Sequence, residues 1–254
     1  MQRSQQKLFT FAMGLSAALV LGLSGCGGEG KKTTPPAETD IKTDAPVKGV
    51  IPAGDLPASP AGPAIVLDEQ AKRGKAAYAA CAACHGQNGE GVKGLGPTLA
   101  SKTFLAAASD EFLSETIKKG RPGTTMIPWR AAFDDKKIAD LVHFIRALYP
   151  HKKVKLDESP LKGSIADGKA VYQAICSSCH GVKGGGFNET KNGTGIARKG
   201  FLDTASNGFI RYIAEEGKTG TRMQGFKRGR PHNIADLTPE DIDSVIQYLR
   251  ANPI

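Results

Sequence analysis

The stretch AYAACAACHGQNGEG, residues 77–91, sets Cys81 and Cys84 three positions apart with His85 directly after them. The stretch VYQAICSSCHGVKGGG, residues 171–186, does the same with Cys176, Cys179 and His180. Sliding the chain against itself extends the match. GKAAY (74–78) pairs with GKAVY (168–172), and FLAAASDEFLSETIKKG (104–120) with FLDTASNGFIRYIAEEG (201–217). GRPGTTM (120–126) pairs with GKTGTRM (217–223), and HFIRAL (143–148) with QYLRAN (247–252). The offset drifts from 94 through 95 and 97 to 104, which unequal loops explain. The globular part is therefore a tandem repeat. The boundaries read as 64–149 and 164–254, joined by the polar linker PHKKVKLDESPLKG, residues 150–163.

Each repeat reads as about three helices. The first runs from about Asp68 into the cysteine motif, with a copy from Ala166. The second starts at Ser109, continues with Asp110 and Glu111, and stops at Lys118-Lys119-Gly120. Acid first and base last complements the helix dipole, and glycine suits the stop. Its copy runs from Ser206 to Gly217. The third covers Asp134 to Leu148, and its copy opens on Thr238-Pro239-Glu240-Asp241, a cap, an N-terminal proline and an acid at the third helical position. No alternating strand pattern appears, so the expected class is all-α. Repeats this short hold few large apolar residues and need a staple.

Four chemistries use C-x-x-C. A disulfide oxidoreductase carries one such motif in a βαβ setting, not two on helical repeats. A structural zinc site draws on pairs separated by roughly 15–20 residues, whereas Cys84 and Cys176 belong to different repeats. An internal disulfide leaves the histidines unexplained. Covalent attachment of c-type haem uses C-x-x-C-H. Residues three apart share one helix face, so two thiols can reach two vinyl groups of one porphyrin. The next residue, His85 or His180, is carried to the iron. Haem also supplies the missing staple. Two covalent haem c groups are expected, held by Cys81, Cys84, Cys176 and Cys179, with His85 and His180 as iron ligands.

A sixth ligand should recur in the repeat. Of the four methionines, Met1 and Met13 lie near the N-terminus. Met126 and Met223 stand in matching frames, Gly120-x-x-Gly123-x-x-Met126 and Gly217-x-x-Gly220-x-x-Met223. Most methionines fill cores, but placement at equivalent positions points to axial ligation. A thioether favours reduced iron. His232 is the alternative ligand in the second repeat. His143 and His151 have no repeat counterpart and read as structural or solvated.

Each repeat resembles a class I cytochrome c domain, and the pair resembles tandem two-haem cytochromes, over roughly residues 66–254. The resemblance rests on Cys81-x-x-Cys84-His85, Gly96-Pro97-x-Leu99 and Met126-x-Pro128-Trp129. It implies that the Pro97 carbonyl receives the His85 ring N–H. In the second repeat Thr194 stands at that place, and Gly225-Phe226 replaces Pro128-Trp129, which leaves the carbonyl's role there open.

Ahead of the repeats, Arg3 and Lys7 precede an apolar run from Leu8 to Leu23. This is the layout of a signal segment, residues 1–25, too short for the ~20 residues of a spanning helix. Leu23-Ser24-Gly25-Cys26 looks like a bacterial lipobox, which implies cleavage before Cys26 and lipid attachment to it. Residues 27–63 are rich in Pro, Gly, Thr and Ala and read, with the lipidated cysteine, as a disordered tether. The expected location is the periplasm or the cell surface, on a membrane.

The formal charge is +9, with Lys and Arg dispersed. With no cationic run and no nucleic-acid motif, no nucleic acid is expected. The loop QGFKRGRPHNIAD, residues 224–236, gathers Lys227, Arg228 and Arg230. It is either a solvated loop or a rim that steers an acidic partner. The expected activity is single-electron transfer between redox partner proteins, acidic or membrane-bound, with no catalytic residue. The alternatives are an electron-transfer subunit of a dehydrogenase, reductase or oxidase, and a dihaem peroxidase, which needs an open iron site.

Overall fold

The computed structural model describes residues 67–229 and 233–254. Cys26, the signal segment, the tether, Arg230 and His232 lie outside the described residues. The first repeat holds α1 (Glu69–Tyr78), α2 (Ala82–His85), α3 (Lys102–Ala107), α4 (Asp110–Lys119) and α5 (Asp135–Ala147). The second holds α6 (Ile165–Val171), a π-helical turn (Tyr172–Cys176), α7 (Ser177–His180), α8 (Phe187–Thr190), α9 (Lys199–Leu202), α10 (Asn207–Glu216) and α11 (Pro239–Ala251). The described residues form no strands, only isolated bridges such as Gly217–Gln224.

The expected helices are present, each with its cap. Asp68, Ser109 and Asp134 accept backbone N–H groups at the starts of α1, α4 and α5, and Ser164, Ser206 and Thr238 do so for α6, α10 and α11. Thr238 and Asp241 close a reciprocal capping box. Three helices per repeat undercounts the structure. The short helices α2, α3, α7, α8 and α9 span too few residues for a periodic signal.

The repeated GKAxY stretch explains itself in the packing. A Cβ on Gly74 would lie 2.0 Å from the Asp140 carbonyl oxygen, and one on Gly168 would lie 1.9 Å from that of Ser244. Helix α1 thus crosses α5, and α6 crosses α11, backbone against backbone, where only glycine fits. The tyrosine of the same stretch ties down the cysteine turn. Tyr78 Oη donates to the Gly86 carbonyl at 2.9 Å, and Tyr172 Oη to that of Gly181 at 2.7 Å.

The two repeats fall within one compact unit. Their seam is built from four phenylalanines. Phe112 of α4 stacks on Phe209 of α10, with centroids 4.8 Å apart and planes at 29°. Phe104 meets Phe209 edge-on at 6.1 Å, and its repeat equivalent Phe201 meets Phe112 at 6.4 Å. The contacts exchange under swapping of the repeats, so the seam is an approximate two-fold interface within one chain. Phe209 and Ala205 complete the core of the first repeat.

Residues 150–163 are more than a polar linker. Val154 N–H donates to the Ala106 carbonyl at 3.1 Å, and Val154 and Leu156 pack on the shared core. Glu158 accepts from Ser206 Oγ and from Gly208 N–H. Arg211 donates to the carbonyls of Asp157 and Ser159 and pairs with Asp243 at 2.7 Å. The segment is a strap, because its polar groups find partners on α10 and α11.

Candidate haem sites

Cys81 is the N-cap of α2, and His85 is its last residue. His85 N–H donates to the Cys81 carbonyl at 2.9 Å, and Gly86 N–H to that of Ala82 at 2.9 Å. Gly86 then takes φ +79°, a value that favours glycine, and the chain turns away. The loop returns so that His85 Nδ1 lies 2.9 Å from the Pro97 carbonyl oxygen. A carbonyl only accepts, so Nδ1 carries the proton and Nε2 keeps its lone pair. That is the tautomer a metal needs. A Cβ on Gly96 would lie 2.2 Å from the Cys84 carbonyl oxygen, which is why the returning loop carries glycine there. Burial lowers the His85 pKa, against the Pro97 carbonyl that raises it. Burial likewise pushes the Cys81 thiol up to about 11.

The second site repeats the scheme with one residue more. Tyr78 precedes Cys81 by three, whereas Tyr172 precedes Cys176 by four. The π-helical turn Tyr172–Cys176 absorbs the extra residue. This accounts for the step in offset from 94 to 95. Beyond it, Cys176 caps α7, His180 ends it, and Gly181 takes φ +89°. Gly91 N–H donates to the His85 carbonyl at 2.7 Å, and Gly186 N–H to that of His180 at 2.8 Å. His180 Nδ1 lies 2.8 Å from the Thr194 carbonyl oxygen. The acceptor left open by the exchange of proline for threonine is thus present, because it is a backbone atom. Burial lowers the His180 pKa, and pushes the Cys176 thiol up to about 11.

Met126 and Met223 lie on loops with the same internal hydrogen bonds. Arg121 N–H donates to the Met126 carbonyl at 2.8 Å, as Lys218 N–H does to that of Met223 at 2.8 Å. Thr124 Oγ1 accepts from Met126 N–H at 3.1 Å, and Thr221 Oγ1 from Met223 N–H at 3.1 Å. Past the methionines, Trp129 N–H donates to the Ile117 carbonyl at 3.1 Å, and Phe226 N–H to that of Ala214 at 2.9 Å. Phe226 therefore occupies the place of Trp129. His143 Nε2 bonds Asp68 at 2.9 Å, and His151 Nδ1 lies 2.8 Å from the Tyr149 carbonyl oxygen. Lys227 and Arg228 are exposed, and Lys227 lies 4.0 Å from Glu216.

A family model described as cytochrome c oxidase, cbb3-type, subunit III matches residues 69–145, and one described as cytochrome c matches residues 165–253. The chain carries two cytochrome c domains. It is 39% identical over 57 residues to cytochrome c55X of Stutzerimonas stutzeri, an alignment covering 22% of this chain. The chain spans 50% of the length of that curated relative. Among solved structures, a reducing HAO-like protein complex of Kuenenia stuttgartiensis matches with 22% identity and a TM-score of 0.47, over 74% of this chain and 98% of the other. Reduced cytochrome c4 from Pseudomonas stutzeri matches with 15% identity and a TM-score of 0.24, over 75% of this chain and 98% of the other.

The residues of both cytochrome c domains fit covalent haem c. The four cysteines are free thiols. Among the described residues no group of three or more His, Cys, Asp or Glu side chains could hold a bare metal ion. Each domain instead offers two thiols, spaced to bond the vinyl groups of one porphyrin, and one oriented imidazole for its iron. Cytochrome c domains imply electron transfer. Sequence reasoning named every thiol and histidine but missed Tyr78, Tyr172 and the close-packed glycines. Their signal was the repeated GKAxY itself.

Proposed function

We propose that this chain is a membrane-tethered dihaem cytochrome that carries single electrons between redox proteins outside the cytoplasm. His85 and Met126 are the axial ligands of the first iron, and His180 and Met223 those of the second. The observation that carries this reading is the matched pair of loops. Two methionines sit in equivalent hydrogen-bonded frames, each in a repeat whose histidine is already held with Nε2 free. Two saturated irons leave electron transfer as the chemistry, since catalysis needs an open position. Within each domain the chain's own groups attach the haem, orient the imidazole and exclude water. Cys26 takes the lipid, and residues 27–63 let the dihaem part reach a partner. The exposed Lys227 and Arg228 suit an acidic partner surface.

The test is a spectroscopic redox titration of the full chain. Two low-spin haems with a methionine–iron charge-transfer band in the oxidised form are expected. A high-spin haem that binds added ligand at rest overturns the reading in favour of catalysis. Cys26→Ala should release the protein from membranes, and retention would reject the anchor. A second reading makes the chain the electron-transfer subunit of a larger enzyme. The match of residues 69–145 to an oxidase-subunit model favours it. Stable co-purification with a catalytic subunit would decide for it.

A further inference from the structure

The seam joins the two repeats, and it is also where both methionine loops are fastened. Each loop is a closed ring. Arg121 N–H donates to the Met126 carbonyl at 2.8 Å, and Lys218 N–H to that of Met223 at 2.8 Å. Thr124 Oγ1 donates back to the Arg121 carbonyl, and Thr221 Oγ1 to that of Lys218, both at 2.7 Å. The residue that closes each ring through its backbone also sends its side chain to the other repeat.

The Arg121 guanidinium lies between two rings, 5.3 Å from the Phe112 centroid in its own repeat and 5.6 Å from that of Phe201 across the seam. It donates to the Gly200 carbonyl in α9 and to Thr204 Oγ1 just beyond it at 2.8 Å, as well as to Thr116 Oγ1 of its own repeat at 2.7 Å. Further contacts hold the same loop to the second repeat. Asn188 Nδ2 donates to the Gly123 carbonyl at 2.9 Å. A Cβ on Gly123 would lie 2.5 Å from Arg198 Nη1, and one on Gly200 would lie 3.0 Å from Pro122 Cδ, so the loop rests directly against the second repeat. The second loop is docked the opposite way, by Thr219 N–H on Thr103 Oγ1 at 2.9 Å and by the Lys218 ammonium 4.6 Å over the Phe104 ring.

We propose that Arg121 is a positioning residue for the sixth ligand of the first haem. Anchored on Gly200 and Thr204 of the second repeat, it fixes the loop that presents Met126. This rests on the reading of Met126 as an axial ligand. A thioether favours reduced iron, so in the oxidised form its hold is weakest and depends most on the loop that carries it. Hydrogen bonds across the seam lower the population of loop conformations in which the thioether is withdrawn. The second repeat thereby supports a ligand that it does not contain.

The experiment measures how readily added imidazole displaces methionine in the oxidised, full dihaem chain, followed by loss of the methionine–iron charge-transfer band. A Met223→His background leaves that band to the first iron, and a Met126→His background leaves it to the second. Arg121→Met should raise the apparent affinity for imidazole at the first site about tenfold and leave the second within about twofold. Thr204→Val combined with Asn188→Ala alters only side chains of the second repeat. It should still tighten imidazole binding at the first site, about fivefold, which keeps the test decisive if Arg121→Met does not fold. An unchanged first site in either variant overturns the proposal. So do equal changes at both sites, the result of a general loosening of the seam. Failure of the underlying reading looks different, because the unsubstituted chain would then lack the band, or Met223→His alone would abolish it.

Discussion

The first and second repeats share few side chains yet make nearly the same hydrogen bonds. Both use a tyrosine to hold the turn after the cysteines, a glycine to let the loop return, and a carbonyl to orient the histidine. They differ where the backbone can do the work of a side chain. Thr194 replaces Pro97 without loss, since the acceptor is the peptide oxygen. They also differ where geometry can absorb an insertion, as the π-helical turn does before Cys176. The comparison shows that haem attachment constrains donors and backbone path, and leaves the remaining surface free to diverge.

The most drastic way to break the symmetry is to remove one haem. Cys81→Ser with Cys84→Ser, or Cys176→Ser with Cys179→Ser, should each lower the haem content of the chain from two to one, read by a haemochrome assay. Because the repeats share a core, the haem that remains should be released at a lower temperature than in wild type. An unchanged melting of the surviving site would show that the repeats are independent.

The stacked pair at the seam is next. Phe112→Ala and Phe209→Ala should each cost about 3–5 kcal/mol, measured by denaturant unfolding. The double variant should reveal a coupling of about 0.5–1.5 kcal/mol. Additive losses would mean that the stacking seen here contributes nothing specific.

The ion pairs on the last helices sharpen the contrast. The Arg211–Asp243 pair is buried, with side chains 4% and 6% exposed, and it also clamps the strap. Arg211→Met should cost about 3–5 kcal/mol, the penalty of leaving a buried carboxylate alone. The Arg73 side chain, which pairs with Asp140 in the first repeat, is 53% exposed. Its replacement by Met should cost far less under the same denaturant. Equal losses would refute the ranking.

The smallest effect is one of pH. The hydrogen bond from Arg73, aided by Lys136, holds the Asp140 carboxyl down at about 2. A carboxylate lowered on folding adds stability above its ordinary value of about 4 and loses it as pH falls toward its folded value. The melting difference between wild type and Asp140→Asn should therefore shrink between about pH 4 and pH 2. A gap that is constant across that window would remove the ion pair from the account.

Much of the site was legible because it is local. The spacing of Cys81, Cys84 and His85 is fixed by one helical turn, and the caps at Ser109, Ser206 and Thr238 act within three residues of themselves. The short helices α3 and α9 were not legible, since six and four residues show no period. Residues 150–163 read only as a polar linker, because composition does not say where polar groups will find partners. Charge says only that a group needs a partner, and the partners of Asp157, Glu158 and Lys162 lie at least forty residues further along.

The sequence by itself determined the two haem turns, the matching positions of Met126 and Met223, and the helices of each repeat. These depend on donors close together in the chain and on repetition, which any alignment of the chain with itself exposes. Tertiary structure decided the rest. It stacked Phe112 on Phe209 and sent Arg121 and Lys218 across the seam to different ends. Those outcomes depend on contacts between segments about a hundred residues apart, and no local rule of spacing encodes where two such segments will meet.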